Sequence, residues 1–296
     1  MTSSASSFST VGLIGRRGSP QIVDSLQVVG GCLSDHGVSV VVEDATGAMM
    51  DNRAYEQASR QKLGEHCDLI VVVGGDGSLL GVSRDLAHTG VPVLGVNRGG
   101  LGFLADISPE QIGAKLGEVL RGEYVIEDHF LLDARILRSG DELGHSLALN
   151  DVVVHMGRMA RIMEFSLWID GQFVYDQRSD GLIVASPTGS TAYSLSAGGP
   201  IMHPSLDAIV VVPMFPHTLT SRPLVVPSDG EIKIGVAQDA EVSCDSQVDF
   251  TLKAGDEVKI CKSASPLRLV YSLGHSFYES CRSKLDWASR LGEHGS

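Results

Sequence analysis

An α/β domain followed by a mostly β domain is the fold that this chain of 296 residues predicts, and three observations lead there. Up to about residue 125, continuous apolar runs such as LIVVV at 69–73 recur between helix-like stretches. Runs of that kind are strands buried on both faces, hence a parallel sheet covered by helices. After about residue 128 the rhythm changes to short strands at regular spacing, the mark of a β-sandwich. Length is the third observation, since a chain this long favours two cores over one.

The elements follow in order. Residues 11–14, 38–42, 69–73 and 91–96 read as strands of the first sheet. Between them, 21–33 carries Ile22, Leu26, Val29 and Leu33 close to helical spacing, and 55–66 fits another helix. Residues 111–121 form one more, with Ile112, Leu116 and Leu120 on one face. In the second domain Leu132, Ala134 and Ile136 alternate with Asp133 and Arg135. Met163, Phe165, Leu167 and Ile169 alternate up to Asp170-Gly171, a hairpin signal, after which Phe173 and Tyr175 resume. Strand-like runs follow at 182–185, 208–212, 232–236, 258–261 and 267–273. Residues 277–291, with Phe277, Cys281, Leu285 and Ala288, form an amphipathic helix that returns to the first domain. The expected boundaries are a Rossmann-like α/β domain at 1–128, a β-sandwich domain at 129–274 and the C-terminal helix at 275–296.

Composition sets limits on function. With 23 basic against 36 acidic residues the net charge is −13, which argues against non-specific attraction to nucleic acid or an anionic membrane. The five cysteines, Cys32, Cys67, Cys244, Cys261 and Cys281, are scattered and read as reduced thiols of a cytoplasmic protein. The opening MTSSASSFST lacks a basic and apolar signal pattern, and no apolar stretch approaches a membrane span.

Four segments resist a packing explanation. Gly74-Gly75-Asp76-Gly77-Ser78 stands directly behind the buried run 69–73. Glycines there permit φ > 0 and close ligand approach, and successive N–H groups in such a turn bind anions. Asp76 is itself repelled by phosphate, so it binds a metal, orients a hydroxyl or accepts a proton. NRGGLGF at 97–103 follows the next strand, and glycine loops after neighbouring parallel strands line one crevice. Its Phe103 suits either a core or a platform against a purine.

The third segment, Asn150-Asp151, interrupts an apolar strand pattern of Leu147, Leu149, Val152 and Val154. Polar pairs inside a sheet are costly unless satisfied. An amide beside a carboxylate suits the two hydroxyls of a ribose. The fourth, DGLIVASPTGSTAYSLSAGGP from Asp180 to Pro200, begins as a strand and becomes a run of Gly, Ser, Thr and Ala. Small residues allow close approach, and hydroxyls offer directional hydrogen bonds. No Walker lysine motif, spaced G-x-G-x-x-G, H-E-x-x-H or G-x-S-x-G elbow is present.

GGDGS, NRGGLGFL, LND and DGLIVASPTGSTAYSLSAGGP in that order, with VPMFPHTLTSRPL and SCDSQ downstream, resemble the bacterial NAD kinase family over roughly residues 10–285. GGDG alone occurs in lipid kinases and 6-phosphofructokinase relatives; the whole series is far more specific. The hydroxyl-rich 186–196 favours a nucleotide over a lipid chain, and the presence of Asp76 favours an enzyme over a non-catalytic NAD sensor. The resemblance implies transfer of the γ-phosphoryl group of ATP to the 2′-hydroxyl of the adenosine ribose of NAD, giving NADP and ADP. It implies Asp76 as general base, Gly74, Gly75, Gly77 and Ser78 as the phosphate loop, and a divalent cation, Mg²⁺ being the expected ion, with no ligand residues assigned. It places Asp76, Gly77, Phe103, Asn150 and Asp151 on NAD. Thr191, Ala192, Tyr193, Ser194, Leu195 and Ser196 would surround its adenosine, with Asp180 nearby. Arg161, Arg178 and Gln247 match further nucleotide-contacting positions. A homodimer or homotetramer is the expected assembly. Many relatives carry Thr where Ser78 stands and Glu where Asp151 stands; both exchanges keep the functional group.

Overall fold

The computed structural model describes residues 8–16, 18, 20–50, 54–98, 102–105, 107–157 and 162–287. The chain divides into two compact units, one of Met1–Asp128 with Leu267–Ser296 and one of His129–Pro266.

The first unit runs β1 (Thr10–Gly15), α1 (Pro20–Asp35), β2 (Ser39–Glu43), α2 (Asp44–Met50), β3 (Glu56–Ala58), α3 (Arg60–His66), β4 (Leu69–Gly74), α4 (Asp76–Leu86), β5 (Val93–Asn97), α5 (Ile112–Leu120) and β6 (Tyr124–His129). The second supplies β7 (Leu132–Arg138), β8 (Asp141–Ala148), β9 (Asp151–His155), β10 (Met163–Ile169), β11 (Gln172–Ser179), β12 (Gly181–Ala185), α6 (Tyr193–Ser196), β13 (Ala208–Met214), β14 (Leu224–Pro227), β15 (Ile232–Val236), β16 (Ala240–Cys244), β17 (Val248–Leu252) and β18 (Glu257–Lys262). β19 (Leu267–Ser272) and α7 (Phe277–Lys284) then rejoin the first.

The first unit is built on a seven-stranded sheet of order β3-β2-β1-β4-β5-β19-β6. β1 pairs in parallel with both β2 and β4, so the order reverses between β1 and β4. That reversal opens a crevice beyond the carboxyl ends of these strands, where α/β sheets bind ligands. Leu13, Val71, Val73 and Leu94 on the sheet pack with Ile22, Leu26 and Val29 of α1 and Leu116 of α5 in one core. Burial on both faces explains the unbroken apolar runs that made these strands readable.

Among the departures from the sequence reading, three bear on the first unit. Residues 55–66 are not one helix: β3 adds to the sheet edge beside β2, with Val42 opposite Gln57, and only then does α3 begin behind its Ser59 cap. α2 was not foreseen. It starts at Asp44 directly after β2, where buried Glu43 accepts from Thr46 Oγ1 at 2.9 Å and pairs with Arg60 at 2.6 Å. The run 267–273 was expected in the β domain; instead β19 pairs in parallel with β5, Leu269 opposite Val93. A short apolar strand does not declare its partner, because pairing is set by distant chain. The C-terminal helix occupies Phe277–Lys284, and residues 288–291 of the expected helix lie outside the described residues.

The second unit holds two six-stranded sheets, β11-β10-β15-β18-β7-β8 and β14-β13-β12-β9-β16-β17. Inward residues from both, among them Leu132, Ile136, Phe165, Leu167, Val152, Val154, Val184 and Val242, form one buried cluster. Two faces sharing one core make a sandwich. The β10–β11 hairpin turns through Asp170 at φ 51° and Gly171 at φ 72°, the left-handed pair that two-residue hairpins need. The outer face of the second sheet buries Val153, Ile183, Ala185 and Val210 beneath Met202.

Candidate active site

The candidate site of the first unit lies at the sheet reversal. β4 ends at Gly74, and Asp76 opens α4 behind Gly75 as N-cap. A carboxylate in the first turn is favoured by the helix dipole, and here it is also fixed by hydrogen bonds. Asp76 Oδ2 accepts the N–H of Phe103 at 2.7 Å and Oδ1 accepts that of Leu104 at 3.2 Å. Gly102 is what lets these groups meet: a Cβ there would stand 1.9 Å from Asp76 Oδ1. Two carboxylate oxygens offer about four acceptor positions, so capacity remains on each after the backbone is satisfied. Asp76 is half-buried.

The glycines of this turn serve space rather than left-handed backbone. Gly74 and Gly75 are absent from the positive-φ residues, and Gly75 has φ −103°. A Cβ on Gly74 would lie 2.4 Å from Ser78 Oγ, whereas one on Gly75 would meet nothing within 4 Å. The expectation of φ > 0 at these two is therefore corrected to close packing at Gly74 and an open face at Gly75. Gly77 is exposed and Ser78 half-buried on the same first turn. Arg98 N–H donates to Gly74 O at 2.8 Å, and its Nε donates to Ser25 Oγ at 2.6 Å. Phe103 is half-buried with Lys284 Nζ 4.0 Å from its ring centroid.

The second unit has its own cluster of the predicted residues. Asp151 starts β9, Ala185 ends β12 and Cys244 ends β16; register sets Ala185 opposite Asp151 and Cys244 opposite Val152. Three adjacent strands thus bring their termini to one end of one sheet. Asp245, just past β16, receives the N–H groups of Leu149 (3.0 Å), Asn150 (2.7 Å) and Asp151 (3.3 Å), and returns its own N–H to Asp151 O at 2.9 Å. Asp245 and Ser246 both hold φ 53°, an uncommon conformation outside glycine. Gln247 closes that turn, its N–H donating to Cys244 O at 3.0 Å, with its side chain exposed.

Asp151 is 3% exposed, and burial, with the charge of Asp245 second, pushes its carboxyl up to about 7. The shift favours its neutral form. Asn150 is half-buried, with its carbonyl accepting Ser186 N–H at 2.9 Å. A Cβ on Gly189 would lie 1.9 Å from that carbonyl oxygen.

The small-residue segment is more ordered internally than expected. Residues Thr188–Thr191 make a 3₁₀ turn leading to α6. Several hydroxyls satisfy the segment itself: Ser186 Oγ bonds Leu149 O, Ser190 Oγ bonds Pro187 O at 2.6 Å, and Thr191 Oγ1 bonds Thr188 O at 3.1 Å. Thr188 Oγ1 meets His129 Nδ1 at 2.8 Å. Ala192 and Leu195 are half-buried, Ser196 is exposed, and Ser194 is fully buried with its Oγ unpartnered among the described residues. Tyr193 is 44% exposed, which excludes a core role.

Two candidates stand differently. Arg178 is exposed on β11, paired with Glu164 at 3.0 Å, beside a cleft lined by Asp176 and His217. Asp180, half-buried, joins β11 to β12, its N–H donating to Met214 O at 2.9 Å. Arg161, with residues 99–101 of the second glycine loop, lies outside the described residues. Sequence reasoning did not single out Gly102 or Asp245; SCDSQ was the nearest signal for the latter.

A strand-end carboxylate held by backbone at a sheet reversal in the first unit, and a polar, small-residue platform in the second, are compatible with a phosphotransferase of the two-domain nucleotide kinase class. Residues 11–124 match the model of the ATP-NAD kinase N-terminal domain and 149–272 that of the C-terminal domain. The NAD kinase of Pseudomonas paraeruginosa is 54% identical over 96% of this chain and 98% of its own, and that of Ectopseudomonas mendocina 53% over 97% and 99%. Yeast NADH kinase complexed with NADH superposes with a TM-score of 0.89 at 25% identity, covering 97% of this chain and 90% of that one. An NAD kinase from Archaeoglobus fulgidus in complex with ATP gives 0.74 at 25% identity over 94% and 97%. The chain belongs to the NAD kinase family.

Proposed function

We propose that Asp76 is the general base in phosphorylation of the adenosine 2′-hydroxyl of NAD. The activity is that of the family, NAD to NADP with ATP as donor. The observation that carries the residue assignment is the clamp on Asp76 by the Phe103 and Leu104 N–H groups. A ribose hydroxyl is a weak nucleophile, and a fixed carboxylate within hydrogen-bond reach takes its proton as the bond to the γ-phosphorus forms. Phosphoryl transfer demands chiefly positioning and charge stabilisation. The open face at Gly75 and the N-terminal turn of α4 suit donor phosphates.

Dinucleotide recognition falls to the second unit in this reading. Asn150 and Asp151 present an amide and a carboxyl from one turn. Tyr193 offers an exposed ring for the adenine, with Thr191, Ala192, Ser194, Leu195 and Ser196 around it. Gln247 faces solvent beside this turn, while Arg178 and Asp180 are peripheral contributors. Among the described residues no group of three or more His, Cys, Asp or Glu gathers to hold a metal. A divalent cation therefore fits as one carried by the triphosphate, as Mg²⁺ commonly is, where it would neutralise phosphate charge.

No helix among the described residues is long and apolar enough to cross a membrane. A cytoplasmic enzyme is proposed, supported by the five free cysteines. Homodimer or homotetramer assembly is supported by large exposed apolar side chains, Phe215 at 76% and Leu219 at 96%. The test is direct. Purified protein with NAD, ATP and Mg²⁺ should form product oxidised only by a dehydrogenase dependent on NADP. Asp76→Asn should lower turnover by about 10²- to 10⁴-fold with NAD affinity within a few-fold. Near-normal turnover of that variant would remove Asp76 from the base role.

A further inference from the structure

Asp151 and Asp245 sit at the ends of the adjacent strands β9 and β16, yet the surroundings of their carboxyls are opposite. Asp245 is 5% exposed and accepts from the backbone N–H groups of Leu149, Asn150 and Asp151. A carboxylate with several N–H donors is stabilised as the anion. Asp151 is 3% exposed, and no hydrogen bond or ion pair reaches its carboxyl among the described residues. On one flanking strand Ala185 stands opposite it; on the other, Cys244 stands opposite the next residue, Val152, and Asp245 follows, its N–H donating to Asp151 O. The charge acting on it is that of Asp245. Two interacting buried carboxyls favour a state in which one keeps its proton, and the N–H groups on Asp245 favour Asp151 as the one that does.

We propose that Asp151 meets the dinucleotide as a neutral carboxylic acid donating a hydrogen bond, and that Asp245 is the positioning residue that keeps it neutral. The inference rests on the assignment of Asn150-Asp151 to NAD. It is also electrostatically sensible. The pyrophosphate of NAD is anionic, and a second ionised carboxylate beside Asp245 would repel it, whereas a neutral acid supplies a donor without charge. The upward displacement of the Asp151 carboxyl to about 7 agrees with this division.

The experiment is calorimetric titration of NAD into the full chain from pH 5.5 to 9, for the unaltered protein, Asp151→Asn and Asp245→Asn. If only the acid form binds, affinity falls above pH 7 by a factor approaching tenfold per unit, because the competent fraction shrinks. Asp151→Asn keeps a neutral donor, so its affinity should stay near the low-pH value of the unaltered protein and lose the dependence. Asp245→Asn removes the neighbouring charge and should move the decline to lower pH. A merely structural Asp245 would change affinity without moving the pH profile. Affinity that rises with pH, with Asp151→Asn weak throughout, would overturn the proposal in favour of an ionised acceptor. Infrared difference spectra of ligand-free protein against Asp151→Asn provide a readout independent of NAD. A protonated carboxyl band at neutral pH is expected, and its absence counts against the proposal even where kinase activity is intact. Loss of NADP formation with that band present would instead count against the kinase assignment.

Discussion

Gly102 and Asp151 show how single residues set the chemistry. The Asp76 carboxylate reaches the Phe103 and Leu104 N–H groups only because Gly102 has no Cβ, which would stand 1.9 Å from Oδ1. Gly102→Ala should leave the fold intact, since the clash falls on a side chain, but turn Asp76 away from its donors. Turnover should drop by about tenfold or more, the scale of small misplacements of a catalytic group, with the melting temperature little changed; unaltered kcat would show that the clamp is not needed. Asp151 has a second consequence, for stability. Its folded pKa, about 7, exceeds the roughly 3.9 of an unfolded aspartate. Between those values the native state holds the extra proton. Its contribution is therefore full below about pH 4 and is lost as pH rises through 7, at up to about 1.4 kcal/mol per unit. Carboxyls that are depressed, such as Asp68, Asp207, Asp239 and Asp256, act in the opposite sense but below about pH 4. Asp151→Asn should thus gain stability relative to the unaltered protein between pH 5 and 8 in denaturant unfolding. A constant difference across that range would contradict a buried neutral acid.

At the scale of elements, the Asn150-Asp151 turn is made by its neighbours rather than by its own strand. Ser186 holds Leu149 O and Asn150 O, Gly189 lies against the Asn150 carbonyl, and Asp245 binds the N–H groups. Gly189→Ala should displace the turn, because its Cβ meets backbone that cannot rotate away. Overpacking of this kind costs about 1–3 kcal/mol, so a fall in melting temperature is expected together with a loss of NAD affinity in the folded fraction. Equal loss of stability with unchanged affinity would make Gly189 a packing residue only. The same contacts explain what could be read in advance. The β4–α4 turn was legible because a buried strand, glycines and a carboxylate are adjacent in sequence. The segment 186–196 was legible from composition, although its hydroxyls largely serve its own turns. Asp245 was not, because its three N–H donors are 94 to 96 positions away. Nor was β3, whose three residues match a helical pattern and become a strand only by pairing with β2.

For the whole molecule, the path of the chain makes the first unit discontinuous. Residues 267–296 return to it after the entire second unit, and β19 is inserted between β5 and β6 rather than added at an edge. Withdrawing β19 would leave β5 and β6 each with an unpaired row of backbone donors and acceptors. It would also remove Leu267, Leu269, Val270 and Tyr271, all 2% exposed or less. Burial of each of the three aliphatic side chains contributes about 1.5–3 kcal/mol. Together these terms rival the 5–15 kcal/mol that stabilises a typical domain. The second unit, by contrast, is one uninterrupted segment with its own core. A fragment of residues 129–266 should therefore unfold cooperatively by itself. A fragment of 1–266 should retain that transition while its α/β part loses protection. Amide hydrogen exchange on the two fragments is the measurement, read at Val71 and Val72 of β4 for the first unit and at Val153 and Val184 for the second. Native-like protection of β4 in the 1–266 fragment would mean that the parallel sheet closes without β19, and that the returning segment serves the site rather than the fold.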